Sequence, residues 1–182
     1  METGEHDLVI GGSGMLAGLV RRLAARGRQV TVIARGRDRL QRLAAPNIHP
    51  LALDYRDRAA LDAGLARCTA EIGPIARCVA WMHDDDLDRV LRIATHIRDV
   101  YCQVLGSASA DPSRPDLLAQ WQTAFAAPGK PVLRIAVLGF VVDGEASRWL
   151  TNAEISDGVD RALESDQPVT IAGSVTPWSR RP

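Results

Sequence analysis

Leu8-Val9-Ile10-Gly11-Gly12-Ser13-Gly14-Met15-Leu16-Ala17-Gly18-Leu19-Val20 decides how this chain folds. Its first three residues form an apolar run of the kind buried on both faces of a sheet. Leu16, Leu19, Val20 and Leu23 follow at the i, i+3, i+4, i+7 spacing of a helix with one apolar face. A strand that passes through glycines straight into a helix is the first half of a βα unit.

The same alternation continues downstream. Val30 to Ile33, Leu51 to Leu53, Cys78 to Trp81, Val100 to Leu105, Val132 to Leu138 and Val169 to Ile171 read as further buried strands. Leu61 and Leu65 mark a helix between them, and Leu87, Val90, Leu91, Ala94 and Ile97 another. Leu118, Trp121 and Phe125 mark the next, and Ile155, Val159, Ala162 and Leu163 the last, opened by the capping box Thr151-x-x-Glu154. Alternating strands and helices joined by right-handed crossovers predict an α/β fold, a doubly wound parallel sheet in three α/β/α layers, Rossmann-like, as one domain over 1–182. The least regular stretches are Gly106 to Pro115 and Gly139 to Leu150, loops long enough to carry function.

Composition narrows the functions. The 182 residues carry 46% apolar and 24% charged side chains with net charge +0, ordinary for a globular protein and without the basic surplus that nucleic acid or an anionic membrane requires. No apolar run approaches the roughly 18 residues of a membrane span, and Met1 to His6 is polar and acidic, so a cytoplasmic location is expected. Cys68, Cys78 and Cys102 are odd in number and lie in apolar patterns, as buried thiols do, and no metal site is expected. Asp84-Asp85-Asp86 precedes a helix, where acids cap and complement the dipole without an ion.

Gly12-x-Gly14-x-x-Ala17 matches the dinucleotide fingerprint. Glycines permit the tight turn and let a pyrophosphate reach the backbone, while the helix N-terminus offers unpaired N–H groups to the anion. Gly11, Gly12, Ser13, Gly14, Met15 and Leu16 are therefore candidate cofactor-binding residues. After the second strand, where an acid would take the ribose 2′-hydroxyl of NAD, stands Ala34-Arg35-Gly36-Arg37. Arg35 and Arg37 favour a 2′-phosphate, hence NADP with NAD as the lesser possibility, unless they are merely solvated. Asp54 and Tyr55 close the third strand, where the carboxylate either accepts from an adenine amino group or caps a turn.

Together the glycine turn, the arginine and the aspartate resemble the short-chain dehydrogenase/reductase superfamily, particularly its atypical, NmrA-like branches and small bacterial members. The resemblance implies an NADP(H)-binding oxidoreductase that reduces a small carbonyl-type substrate. It also implies a tyrosine followed four residues later by lysine, and that pair is absent. Tyr55 and Tyr101 are followed by Ala59 and Leu105, and Lys130, the only lysine, is preceded by Ala126. Ser107 stands where the family's catalytic serine lies, and is either that hydroxyl or a loop serine. Trp81-Met82-His83 replaces the family's Asn-Ala-Gly beside the cofactor. Trp81 is thus a candidate cofactor contact. His83, at a strand end beside the crevice, is a candidate proton donor.

After the sixth strand too few residues remain for a lid, so the pocket is expected to be small or shared. The segment around Trp178 is a candidate arm for a neighbouring copy in a homo-oligomer. Two functions stay open, an NADPH-dependent reductase of a small molecule and a non-catalytic NADP(H)-binding module that reports redox state to a regulatory protein partner.

Overall fold

The computed structural model describes residues 4–83, 86–111 and 116–182. Among these residues nine strands are present: β1 (His6–Ile10), β2 (Gln29–Ala34), β3 (Ile48–Ala52), β4 (Ile75–Trp81), β5 (Ile97–Gly106), β6 (Val132–Leu138), β7 (Phe140–Asp143), β8 (Ala146–Trp149) and β9 (Val169–Ala172). Seven form one sheet in the order β3-β2-β1-β4-β5-β6-β9, every pair parallel. These are the seven strands expected from the apolar runs, in a doubly wound arrangement.

Among the described residues six helices cover the sheet: α1 (Ala17–Ala25), α2 (Arg37–Gln41), α3 (Arg58–Ile72), α4 (Leu87–Ala94), α5 (Asp116–Phe125) and α6 (Asn152–Glu164). Because strand side chains alternate in direction, β1 sends Leu8 and Ile10 to one face and Val9 to the other. Leu8 and Ile10 pack with Leu61 and Leu65 of α3, Val90 and Ile93 of α4 and Trp121 of α5. Val9 packs with Leu19 and Leu23 of α1, Leu40 of α2 and Val159 of α6. Each fully buried aliphatic side chain contributes about 1.5–3 kcal/mol, so these two cores hold the three layers together.

Ile97 departs from the expected pattern. Its spacing assigns it to the helix containing Val90, but α4 ends at Ala94 and Ile97 opens β5. Both halves bury their apolar residues in one cluster, so the spacing runs on through the turn that separates them. The capping box is present: Thr151 Oγ1 accepts from the Glu154 N–H, and the Thr151 N–H donates to Glu154 Oε2 at 2.8 Å. Asp86 caps α4 by accepting from the Arg89 N–H at 3.0 Å, while Asp84 and Asp85 lie outside the described residues. Cys68, Cys78 and Cys102 are free and buried, and burial pushes the Cys102 thiol up to about 12.

The short helix α2, the 3-10 turn over Trp178–Arg180 and two loop elements were not anticipated. The stretch from Gly139 to Leu150 contains the antiparallel hairpin β7-β8, whose loop turns on Gly144 at φ 58°. Gly106 to Pro115 begins with a 3-10 turn over Ser107–Ala110, and residues 112–115 lie outside the described part. Among the described residues no helix is long and apolar enough to cross a membrane, and no three His, Cys, Asp or Glu side chains come together as metal ligands would.

Candidate functional site

The strand order reverses between β1 and β4, and the crevice outside the carboxyl ends of the strands at such a point is where open α/β sheets bind ligands. The glycine turn crosses it. Gly11 adopts φ 79° and donates its N–H to the Ile33 carbonyl at 2.9 Å. A Cβ on Gly11 would lie 2.4 Å from the Trp81 carbonyl oxygen, so the turn passes the end of β4 only as glycine. A Cβ on Gly12 would lie 2.8 Å from Val9 Cγ1 and 2.9 Å from Val32 Cγ1, which lets α1 settle onto the sheet.

Gly14 has a different surrounding. A Cβ there would meet nothing within 4 Å, so its bare backbone faces open space. Among the described residues no backbone carbonyl accepts from the amides of Gly12 through Leu16, and α1 begins with the Ala17 N–H on the Gly14 carbonyl at 3.0 Å. Unpaired donors and the positive end of the helix dipole therefore converge on one spot. The Leu16 side chain is wholly buried in the core, which leaves only its backbone for any ligand.

Around this spot Ser13, Gly14, Met15, Arg35, Arg39, Tyr55, Trp81 and His83 line a cleft of about 170 Å³. Arg35, at the end of β2, is largely exposed, with Asp54 Oδ2 at 4.0 Å. Its companion is Arg39. Arg37 lines a separate depression with Pro50, Leu51 and Arg67. The cause is α2: one helical turn carries Arg37 away and brings Arg39 back beside Gly36, where a Cβ would lie 3.1 Å from its Nε. Had Gly36 been read as the start of a short helix, this register would have pointed to Arg39.

Asp54 shapes the turn after β3, its Oδ1 accepting from the Arg56 N–H at 3.0 Å, and is not among the lining residues. Tyr55 is, and its buried phenol oxygen accepts from the His83 N–H at 3.2 Å. This ties the end of β4 to the end of β3.

Beyond Trp81 and Met15, which wall both spaces, lies a second pocket of about 280 Å³ at the ends of β5 and β6. Ser107 lies here, 4% exposed, its Oγ accepting from Arg181 Nε at 2.8 Å. His83 does not share this pocket. It is exposed, packs edge-on against Trp81 with ring centroids 5.4 Å apart, and opens onto the first cleft. The two candidate proton donors thus line different pockets, which share Trp81 and Met15 as walls. Tyr101 is fully buried against Phe125 and Lys130 lines a depression with Phe125 and Pro168, so neither supplies the missing tyrosine or lysine.

The segment around Trp178, expected as an arm for a neighbouring copy, folds over its own chain. Arg180 Nη1 donates to the Gly144 carbonyl at 2.5 Å, and the Arg181 guanidinium lies 5.2 Å from the Trp149 ring and 5.4 Å from that of Trp178. The hairpin and this segment together form the rim of the second pocket. Arg181 carried no sequence signal, because only the folded hairpin brings it to Ser107.

No family model matches the sequence, and no curated protein does. Among solved structures the chain is similar to a double mutant of a Serratia marcescens short-chain dehydrogenase/reductase, at 18% identity and a TM-score of 0.66, over 94% of this chain and 98% of that one. At that identity the likeness is one of fold, the doubly wound α/β sheet.

Proposed function

We propose that the protein binds NADP(H) along the crevice from Arg35 to Ser107 and is an NADP-dependent oxidoreductase that reduces a small carbonyl compound, an atypical relative of the short-chain dehydrogenases. The observation that carries this reading is the cleft itself. Gly14 offers bare backbone facing open space in the same cleft as two arginines, and among the described residues no acid lines that cleft to take a ribose 2′-hydroxyl. Pyrophosphate on the amides of Gly12 through Leu16 and a 2′-phosphate on Arg35 and Arg39 satisfy both features.

When bound, the reduced nicotinamide supplies a hydride to a carbonyl carbon. The chain's own contribution centres on Ser107. Its oxygen accepts from Arg181, which leaves the hydroxyl hydrogen to donate to a substrate carbonyl oxygen. The Arg181 charge beside it stabilises the negative charge that develops on that oxygen during reduction. Trp81 and Met15 wall the pocket on the side of the first cleft. Ser107 is the catalytic candidate over His83, because His83 faces the other cleft.

A second reading, a non-catalytic module that reports NADP redox state to a protein partner, is favoured by the absence of tyrosine and lysine among the described residues that line the second pocket. Fluorescence titration with NADPH and NADH, repeated on Arg35→Ala, tests the shared premise. Tight NADPH binding weakened selectively by the substitution supports it, and no binding of either nucleotide refutes it. Turnover of NADPH with any carbonyl compound then separates enzyme from sensor.

A further inference from the structure

Among the described residues the second pocket has one charged lining residue, Arg181. Its Nε is engaged by Ser107, and its face is held by the Trp149 and Trp178 rings. Its two terminal nitrogens have no acceptor among the described residues, and it forms no ion pair with a described acid. The walls near it are otherwise apolar, supplied by Leu138, Leu150 and Ile155. A guanidinium fixed in orientation at the exposed rim of a largely apolar pocket, with its outer fork unpaired among the described residues, is arranged to receive a planar anion with two oxygens.

From this we infer that the substrate is an oxo acid, with its carboxylate on the Arg181 fork, its reacting carbonyl on the Ser107 hydroxyl and an apolar remainder. The inference rests on the proposed reductase reading for the carbonyl and on the pocket alone for the carboxylate. Because Ser107 and Arg181 are in direct hydrogen-bond contact, the two substrate groups they serve are neighbours in the molecule. A 2-oxo acid meets that requirement. A pocket of about 280 Å³ is at the low end for ligand sites and is shared with the nicotinamide, so the apolar remainder is short or a single ring. In the reaction the carbonyl carbon takes a hydride from NADPH, and its oxygen takes a proton that reaches it from water through Ser107. The products are a 2-hydroxy acid and NADP⁺.

Calorimetric titration tests this with 4-methyl-2-oxopentanoate and phenylpyruvate against 4-methylpentan-2-one and phenylacetone, ketones in which a methyl group replaces the carboxylate. The titrations are run with and without saturating NADP⁺, on the wild type, Arg181→Gln and Arg181→Lys, with NADPH affinity measured on the same samples. The expected result is oxo acids bound about tenfold to a hundredfold more tightly than the ketones. Arg181→Gln removes that preference and Arg181→Lys keeps part of it, with NADPH affinity within about twofold of wild type.

Equal binding of both classes, silence from both, or a preference that survives Arg181→Gln overturns the inference. So does a parallel loss of NADPH and oxo-acid binding, which would assign Arg181 to a cofactor phosphate. A protein that binds NADPH without preferring oxo acids fails the inference alone. One that prefers oxo acids through Arg181 but binds no NADPH fails the reductase reading and leaves the carboxylate site standing.

Discussion

Gly11 and Trp81 are in such close approach that a Cβ on the glycine would sit 2.4 Å from the tryptophan's carbonyl oxygen, whereas a Cβ on Gly14, three residues on, would touch nothing. The two glycines therefore have different tasks, and substitution separates them. Gly11→Ala forces a side chain into φ 79° and against backbone, and is expected to cost about 1–3 kcal/mol or more. Gly14→Ala leaves stability within about 0.5 kcal/mol while filling space over the amides, and is expected to weaken NADPH binding at least about tenfold. Urea denaturation and fluorescence titration of both variants check the pair. Equal stability losses would deny Gly14 its ligand role.

The arginines sort by geometry. Arg35→Ala and Arg39→Ala are each expected to reduce NADPH affinity about tenfold to a hundredfold, the worth of one charge-assisted bond to phosphate, and to leave NADH affinity nearly unchanged. Arg37→Ala is expected to change neither, because Arg37 lines another depression. Parallel titrations with both nucleotides read this directly.

Why Arg39 and Arg181 were not legible in the sequence is a matter of range. The seven parallel strands follow from apolar runs flanked by one-sided helices, and the glycine turn from a local spacing, so both could be read residue by residue. Arg39 depends on a five-residue helix, α2, too short for its periodicity to register. Arg181 depends on the β7-β8 hairpin bringing Trp149 round to a segment some thirty residues later. A cue was present there, Gly144 following Phe140-Val141-Val142-Asp143: Asp143 pairs with Ala146, so Gly144-Glu145 is a two-residue hairpin loop with glycine at its first position. Ile97 failed for the opposite reason, since a buried helix and a buried strand leave the same apolar mark when they feed one core.

Within the reductase reading, Ser107 and His83 make opposite predictions. With a 2-oxo acid as substrate, Ser107→Ala is expected to lower kcat about 10²-fold or more, the usual contribution of a positioned hydrogen-bond donor or acid at the reacting oxygen. His83→Ala is expected to change kcat less than about threefold, because His83 lines the first cleft and not the pocket that holds Ser107. Steady-state NADPH oxidation at 340 nm distinguishes them, and a kcat collapse in His83→Ala alone would move the proton donor to the first cleft.

At the opposite end of the sheet, away from the site, His6 links stability to pH. Its imidazole is buried, with Nδ1 2.9 Å from the Gly73 carbonyl and Nε2 2.8 Å from Thr31 Oγ1. A neutral ring satisfies both partners, donating to the carbonyl and accepting from the hydroxyl. Burial is the largest influence and lowers the His6 pKa below the ordinary 6.5. His49 acts in the same direction, against the Gly73 carbonyl and Asp7. Since the unfolded chain binds this proton first, folding loses stability as pH falls from about 6.5 toward the lowered folded value, and gains none above 6.5. Urea unfolding is therefore expected to weaken between pH 7.5 and 5.5. His6→Gln, which keeps hydrogen-bonding atoms without the titration, is expected to be less stable at pH 7.5 but to lose less over the same interval. An equal loss in the variant would place the pH dependence on other groups.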